Sequence, residues 1–236
     1  MNMEISPGIE MVDTALWIRK EKILIINDLH LGYEETLHRK GVLVPKFQLE
    51  DILDRLHRIL QKVHPRKIII NGDLKHEFGT VLRQEWREVL KFLDEIISQK
   101  IAVVIIRGNH DPLLKPIAEK RGITIVKEYY IGDTVIVHGD AAIVTKAKRI
   151  IIGHEHPALT IREKSKREKY KCFLKGKWKG KELMTVPSFN PLLEGTDILK
   201  EELLSPFLKN IAQFEVYIVS QGEVFYFGKV KGISQK

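Results

Sequence analysis

The sequence predicts one α/β domain in which two β-sheets pack face to face and are flanked by helices. Three observations lead there. Five apolar, strand-like runs each stop at a residue able to ligate a metal: ILIIN before Asp28-Leu-His30, KIIIN-Gly before Asp73, AVVIIRG before Asn109-His110-Asp111, TVIV before His138, and RIIIG before His154-Glu-His156. Helical patterns alternate with the first of these runs, whereas the second half of the chain is mostly short β segments set off by turn signals. The 236 residues contain no linker-like stretch, so 1–236 reads as a single unit.

In chain order, ALWIR and ILIIN, parted by Lys20 to Lys22, read as a tight antiparallel hairpin. The segment LGYEETLHRKGVLVP after it reads as a loop. From Gln48 to Lys62 the residues Leu49, Ile52, Leu53, Leu56, Ile59 and Leu60 fall on one helical face. KIIIN is the next strand, followed by a second amphipathic helix from Arg83 to Gln99 with Trp86, Val89, Leu90, Leu93, Ile96 and Ile97 on its apolar side, and then by IAVVII. Pro112 and Pro116 break the chain, and a short helix is expected over Ile117 to Lys120. ITIV, YYIG, TVIV, KRIIIG and ALTIR read as short β segments, and KCFL and ELMTV flank a basic turn. FEVYIVS and EVFYF, joined at Gln221-Gly222, form a terminal hairpin within 211–230 that closes a sheet edge in the monomer or pairs across a homo-oligomer.

Composition excludes several classes. The apolar runs are only a handful of residues long, far short of a bilayer span, and the first residues show no basic segment followed by an apolar one, so no membrane association and a cytoplasmic location are expected. One cysteine, Cys172, permits neither a disulfide framework nor a thiolate metal site. Any metal is therefore held by oxygen and nitrogen. The net charge of +8 sits in one place: residues 162–181 hold ten Lys or Arg against two Glu, and the remainder carries 29 of each sign. Interleaved with Tyr170, Phe173 and Trp178, this segment reads equally as a stripe that follows a phosphate backbone and as a solvated lysine-rich face.

Taken singly, each strand-end motif is weak, because Asp-x-His is common and a lone strand histidine is more often a satisfied core group. Their joint order carries the signal: five of the nine histidines stand at these ends. A residue that follows a buried parallel strand lies at the carboxyl edge of its sheet, where open α/β sheets gather ligands. Asp28, His30, Asp73, Asn109, His138, His154 and His156 offer enough oxygen and nitrogen for two first-row divalent ions, Mn first and Fe, Ni, Co or Zn as alternatives. Such a pair activates a bridging water for in-line attack at phosphorus. His110 is then placed to protonate the leaving oxygen, with Asp111 holding its ring in the right tautomer.

In this order the motifs resemble the calcineurin-like metallophosphoesterase superfamily over about residues 23–157. The resemblance implies a four-layer α/β/β/α sandwich with two mixed β-sheets. It further implies one metal on Asp28, His30, Asp73 and His156, and a second on Asn109, His138 and His154, with Asp73 bridging. Asp28-Leu-His-Leu-Gly32 is similar to the opening motif of SbcD-type repair exonucleases, and VPSFNPLLEG at 186–195 resembles a stretch of related small archaeal and bacterial phosphoesterases. Asp111 stands where protein Ser/Thr phosphatases carry Glu, which argues against protein phosphatase activity. His76 takes the place of the second acid common in the Asp73 motif and is read as a substrate contact or a structural group. Tyr33, Glu34 and Glu35 border the site or belong to a solvated loop. His38, His57 and His64 read as surface residues.

Three functions remain: a two-metal phosphodiesterase or nuclease whose 162–181 segment contacts nucleic acid, a phosphodiesterase acting on small or cyclic nucleotides, and a non-catalytic nucleic-acid-binding subunit on the same fold. The complete ligand set favours the first two.

Overall fold

Runs such as III at 68–70 and 150–152 are strands because both of their faces find cover. The computed structural model of the chain describes residues 2–44, 47–78, 82–111, 113–163 and 166–233; Pro45 of the first loop, the breaker Pro112, and Lys164 and Ser165 of the basic segment lie outside them. A first sheet has the order β1 (Met3–Ser6), β2 (Ile9–Val12), β3 (Ala15–Ile18), β4 (Ile23–Asn27), β5 (Lys67–Asn71), β6 (Ala102–Ile106), β7 (Thr124–Val126). Pairing is antiparallel up to β4 and parallel from there to β7, with Ile25 beside Ile69 and Ile69 beside Val104. Between these strands lie α1 (Tyr33–Arg39), α2 (Gln48–Lys62), α3 (Arg83–Ser98) and α4 (Lys115–Lys120).

The second sheet contains β8 (Glu128–Ile131), β9 (Thr134–Val137), β10 (Arg149–Ile152), β11 (Pro157–Glu163), β12 (Lys166–Trp178), β13 (Lys181–Thr185) and β14 (Thr196–Asp197), in the order β14-β11-β12-β13-β10-β9-β8. β10 runs parallel to β9 and β13. The terminal hairpin, β15 (Glu215–Ser220) and β16 (Glu223–Lys229), joins this sheet through β12, and a short α5 (Val230–Ile233) ends the described chain.

Alternation along each strand sorts side chains into layers. Leu24, Ile26, Ile68, Ile70, Val103 and Ile105 face α2 and α3, against Ile52, Leu56, Ile59, Val89, Phe92 and Ile96. Their neighbours Ile23, Ile25, Ile69, Val104 and Ile106 face the other way, onto Ile136, Ile151, Phe173 and Met184 of the second sheet. Val135, Val137, Ile150 and Ile152 turn outward and are covered by Phe207, Leu208, Ile211, Phe214 and Val230. The molecule is thus a mixed two-sheet sandwich with helices, though the cover on the second sheet is largely irregular chain around 198–214.

Several local readings change. β1 and β2 lie in the first thirteen residues, which show no clear strand signal because each is four residues long and carries Glu4 or Glu10. The segment read as a loop contains α1, whose only buried residue is Glu34, so it has no apolar stripe to reveal it. Glu34 is buried, not solvated. Most of the 162–181 segment is the long strand β12, which runs on to Trp178 and leaves the basic turn between KCFL and ELMTV only Lys179 and Gly180, and Ile97 of α3 lies exposed because Ile96 takes the inward position.

Candidate metal centre

β4, β5 and β6 are parallel, so the residues after them emerge at one edge, and the second sheet presents the ends of β9 and β10 to the same place. Backbone hydrogen bonds fasten the first two loops together: Asp28 N donates to Gly72 O (3.2 Å), His30 N to Asp73 O (2.9 Å) and Leu31 N to Leu74 O (3.0 Å). Each carboxylate also ties in a further loop. His154 N donates to Asp28 Oδ2 (3.0 Å), and His110 N donates to Asp73 Oδ1 (3.0 Å).

The remaining oxygens face imidazoles. Asp73 Oδ2 lies 3.3 Å from His138 Nε2 and 3.6 Å from His30 Nε2, between two groups of ligands. One group is Asp28, His30 and His156 and another is Asp73, His138 and His154, each with its ligand atoms within 4.8 Å of one another; His30, His76 and His110 form a third such group. Asn109 Oδ1 adjoins the second group, 3.0 Å from His138 Nε2. All seven expected ligand residues therefore converge. A fit for metal is visible in the polar atoms left over: Asp28 Oδ1, His30 Nε2 and His156 Nε2 are buried with no hydrogen-bond partner among the described residues. Orphaned polar atoms of this kind cost about 1–3 kcal/mol each when nothing binds them, and metal held by these residues would give them partners.

The backbone pays for this convergence. Asp28 (φ 52°), His30 (44°), Asp73 (47°), His154 (64°) and His156 (51°) all occupy the left-handed region, which non-glycine residues visit rarely and mainly at functional sites. The glycines beside the ligands are equally constrained. A Cβ on Gly72 would fall 2.0 Å from His138 Nδ1, and one on Gly108 would fall 2.1 Å from Asp73 Oδ1.

Charge is organised around Asp73. Burial pushes its carboxyl up, but the hydrogen bond and charge of His138, together with His30, outweigh it and hold the group well below its ordinary value. Burial likewise pulls His138 down, yet Asp73, Asp28 and Asp140 raise it to about 9. His30 and His154 are lowered by burial first and by neighbouring imidazoles second, so both are neutral and ready to ligate.

Asp111 does not act as expected. Its carboxylate accepts from Leu74 N (3.1 Å), Lys75 N (3.4 Å) and Gly108 N (3.1 Å), so it organises two loops and does not orient the His110 ring. That ring is set by another group: His110 Nδ1 lies 2.5 Å from the His76 carbonyl oxygen, which fixes the proton on Nδ1. The His76 ring sits behind the first ligand group, its Nδ1 3.3 Å from His30 Nδ1, and is pushed down to about 4 by burial and then by His110. Tyr33 packs edge-on against His76, with ring centroids 4.8 Å apart. His38 meets Val44 O, His57 meets Glu95 and His64 is exposed, all away from the ligands.

Sequence reading missed the supports. Ser188 Oγ donates to Asp28 O (2.7 Å) and Phe189 N to Asn27 O (2.8 Å), which gives the VPSFNP stretch a structural task. Lys171 inserts beneath it and binds the carbonyls of Ser188 and Asn190. Lys169 meets Gly195 O and Glu201, and Lys181 meets Ala147 O, so part of the basic segment is committed to the fold. A cleft of about 690 Å³ opens beside Asn109 and His138 and is lined by Arg107, Lys127 and Asp140. Arg107 and Lys127 carried no spacing signal, since the β7 end brings Lys127 to the site only in three dimensions.

Two groups of oxygen and nitrogen donors with Asp73 between them, at the edge of a two-sheet sandwich, would hold divalent metal and fit the class of metal-dependent hydrolases of phosphoesters. The chain belongs to the calcineurin-like phosphoesterase family, whose model matches residues 21–209. The family uses divalent metals. In three dimensions the chain is similar to the Pseudomonas putida nuclease MPE, with a TM-score of 0.68 at 19% identity over 96% of this chain and 99% of that one. It is more distantly similar to the Escherichia coli phosphoesterase Yfce, with a TM-score of 0.43 at 13% identity over 88% and 98%. No curated protein matches the sequence. Among the described residues no helix is long and apolar enough to cross a membrane.

Proposed function

We propose that this protein is a two-metal phosphodiesterase that cleaves nucleic-acid or nucleotide diesters, with Mn as the preferred ion and Fe, Ni, Co or Zn as alternatives. The observation that carries the reading is the shared Asp73 Oδ2 between two ligand groups, with His110 anchored beside it. Divalent ions held there would supply Lewis acidity at the phosphoryl oxygens and make water acidic enough to be deprotonated near neutral pH. The chain supplies the rest. Arg107 and Lys127 line the adjoining cleft and attract the anionic diester. His110, its Nδ1 proton held by the His76 carbonyl, carries the transferable proton on Nε2 when it is cationic, and passes it to the leaving oxygen.

The test is Mn-dependent hydrolysis of an activated diester and of single-stranded DNA. Asp73→Asn should abolish both. His110→Ala should slow the unactivated strand by about 10²–10⁴-fold, and the activated diester much less, because a good leaving group needs no proton. Equal activity of Asp73→Asn and wild type would sink the assignment. Rates on DNA, RNA and 2′,3′-cyclic nucleotides separate the nuclease from a small-nucleotide enzyme.

A further inference from the structure

A second cleft, of about 590 Å³, opens between α2, the N-terminal half of β12 and the turns at 13–14 and 220–222. Its walls bring together four cations, Arg55 and Arg58 from α2 and Lys169 and Lys171 from β12, against one carboxylate, Asp13. Arg55 and Arg58 are three residues apart on one helix and so project side by side. Three of the cations have partners. Arg55 donates to Phe189 O (2.7 Å) and lies 3.5 Å from Asp13, Lys169 meets Glu201 (3.0 Å), and Lys171 is held by carbonyls alone. Arg58 is exposed and makes no ion pair among the described residues.

The positive charge here is under-compensated. Burial lowers both Lys171 and Arg55; Arg55 depresses Lys171 more than Asp13 and Asp28 each raise it, while on Arg55 the raising effect of Asp13 exceeds the depression by Arg58. An oxyanion in the cleft would relieve that mutual repulsion. Location gives the ligand its chemistry. β3 runs antiparallel to β4 with Leu16 opposite Ile25, so the Asp13-Thr14 turn lies at the same sheet edge as Asp28. One loop separates the two: Phe189 and Ser188 bond Asn27 O and Asp28 O on its metal side, while Arg55 and Lys171 grip its carbonyls from the cleft side.

We propose that this cleft binds a phosphate group, and that in a polymeric substrate it holds a backbone phosphate of the strand whose scissile diester lies at the metal ligands. The second clause rests on the nuclease reading; the first does not. The basic segment then acts through the part of β12 that joins α2, not as a continuous exposed stripe.

The experiment compares the wild-type holoenzyme with Arg58→Glu, an exposed change whose folding is checked by thermal unfolding, and with Arg58→Lys. For a short single-stranded oligonucleotide, Arg58→Glu should raise KM by about 3–10-fold and reduce the magnitude of the salt slope by about 0.7, one phosphate contact on a single strand. Arg58→Lys should restore most of the affinity, and turnover of a small activated diester should not change. In a second arm, calorimetry with inorganic phosphate should show a weak site that Arg58→Glu removes. Loss of the phosphate site with an unchanged strand KM identifies free phosphate as the ligand. If neither arm responds to Arg58→Glu, the proposal is overturned. Should no polynucleotide be cleaved, the nuclease reading fails and the phosphate arm alone decides the cleft.

Discussion

At the scale of single residues, the site is built from conformations that ordinary side chains avoid. Five of the seven ligand residues have positive φ, at about 1–3 kcal/mol apiece, and glycines stand where any Cβ would strike a ligand. Gly108→Ala should therefore lose metal binding and unfold more easily, because its Cβ would sit 2.1 Å from Asp73 Oδ1. Gly180→Ala is the control: it has φ 79° but nothing within 4 Å, so it should cost only about 1–2 kcal/mol of backbone strain and bind metal normally. Calorimetric metal titration with chemical denaturation of both variants checks the pair. His138 yields a second expectation. It is raised to about 9 in the metal-free protein, so it is protonated at neutral pH and must release that proton to ligate. Metal affinity should rise as pH climbs toward that value, and titration in buffers of different ionisation enthalpy should reveal the proton; pH-independent binding would count against His138 as a ligand. The convergence of the seven candidate ligands was legible in the sequence because each follows closely after the end of a strand. The task of Asp111 was not, because its donors, Leu74 and Lys75, lie on a loop 36 to 37 residues away.

Helices and loops contribute at the next scale by holding the first two motifs in place. α3 presents Glu88 to Gly32 N (3.0 Å) and Glu85 to both His76 N (2.9 Å) and Glu77 N (2.6 Å). Gly32 packs so closely on α3 that a Cβ there would lie 2.8 Å from Glu85 Cβ. Because the His76 carbonyl sets the His110 ring, Glu85 is a positioning residue for the proposed acid. Glu85→Ala should destabilise the protein by about 1–3 kcal/mol through its two orphaned amides, and should lower kcat more than it raises KM. Burial pushes the Glu85 carboxyl up, against the amides and Lys75 that pull it down. The folded state therefore binds this proton more tightly than the unfolded state. The stability it contributes is complete below the ordinary value of 4.5 and is lost as pH rises through the raised one. Glu85→Gln, always neutral, should gain stability relative to wild type as pH rises above 4.5 in denaturant titrations of the metal-free protein. The helices α2 and α3 were readable to within a residue because their apolar faces meet a sheet. α1 was not, since its inward residue, Glu34, is a carboxylate that exchanges hydrogen bonds with Gln48.

For the whole molecule, two sheets must keep their edges aligned for the candidate ligands behind five strands to meet; the layer between them is mainly apolar, and at its ligand edge Asn71 Nδ2 donates across it to Val137 O (3.0 Å). The strand runs made this architecture legible, but the outer cover of the second sheet was not, because residues 198–214 have no repeating pattern. Phe207, Leu208, Ile211 and Phe214 reach the sheet from irregular chain. Cys172 reports on that cover. It is fully buried beneath it, paired with Ile218 across β12 and β15, and burial, then Asp197, pushes its thiol far above the ordinary range. A thiol that is neither ionised nor accessible does not react in place. Its alkylation should therefore follow opening of the second sheet: negligible in the native protein, rapid in denaturant, and in between proportional to the open population. Metal provides the decisive comparison. The candidate ligands come from both sheets, so metal bound by them would oppose any opening that separates them. Divalent metal should then slow Cys172 alkylation even though no ligand touches the thiol. If alkylation is fast in the native holoprotein, or is unaffected by metal while the ions are bound, then the cover opens independently of the sandwich and the two sheets are not one cooperative unit.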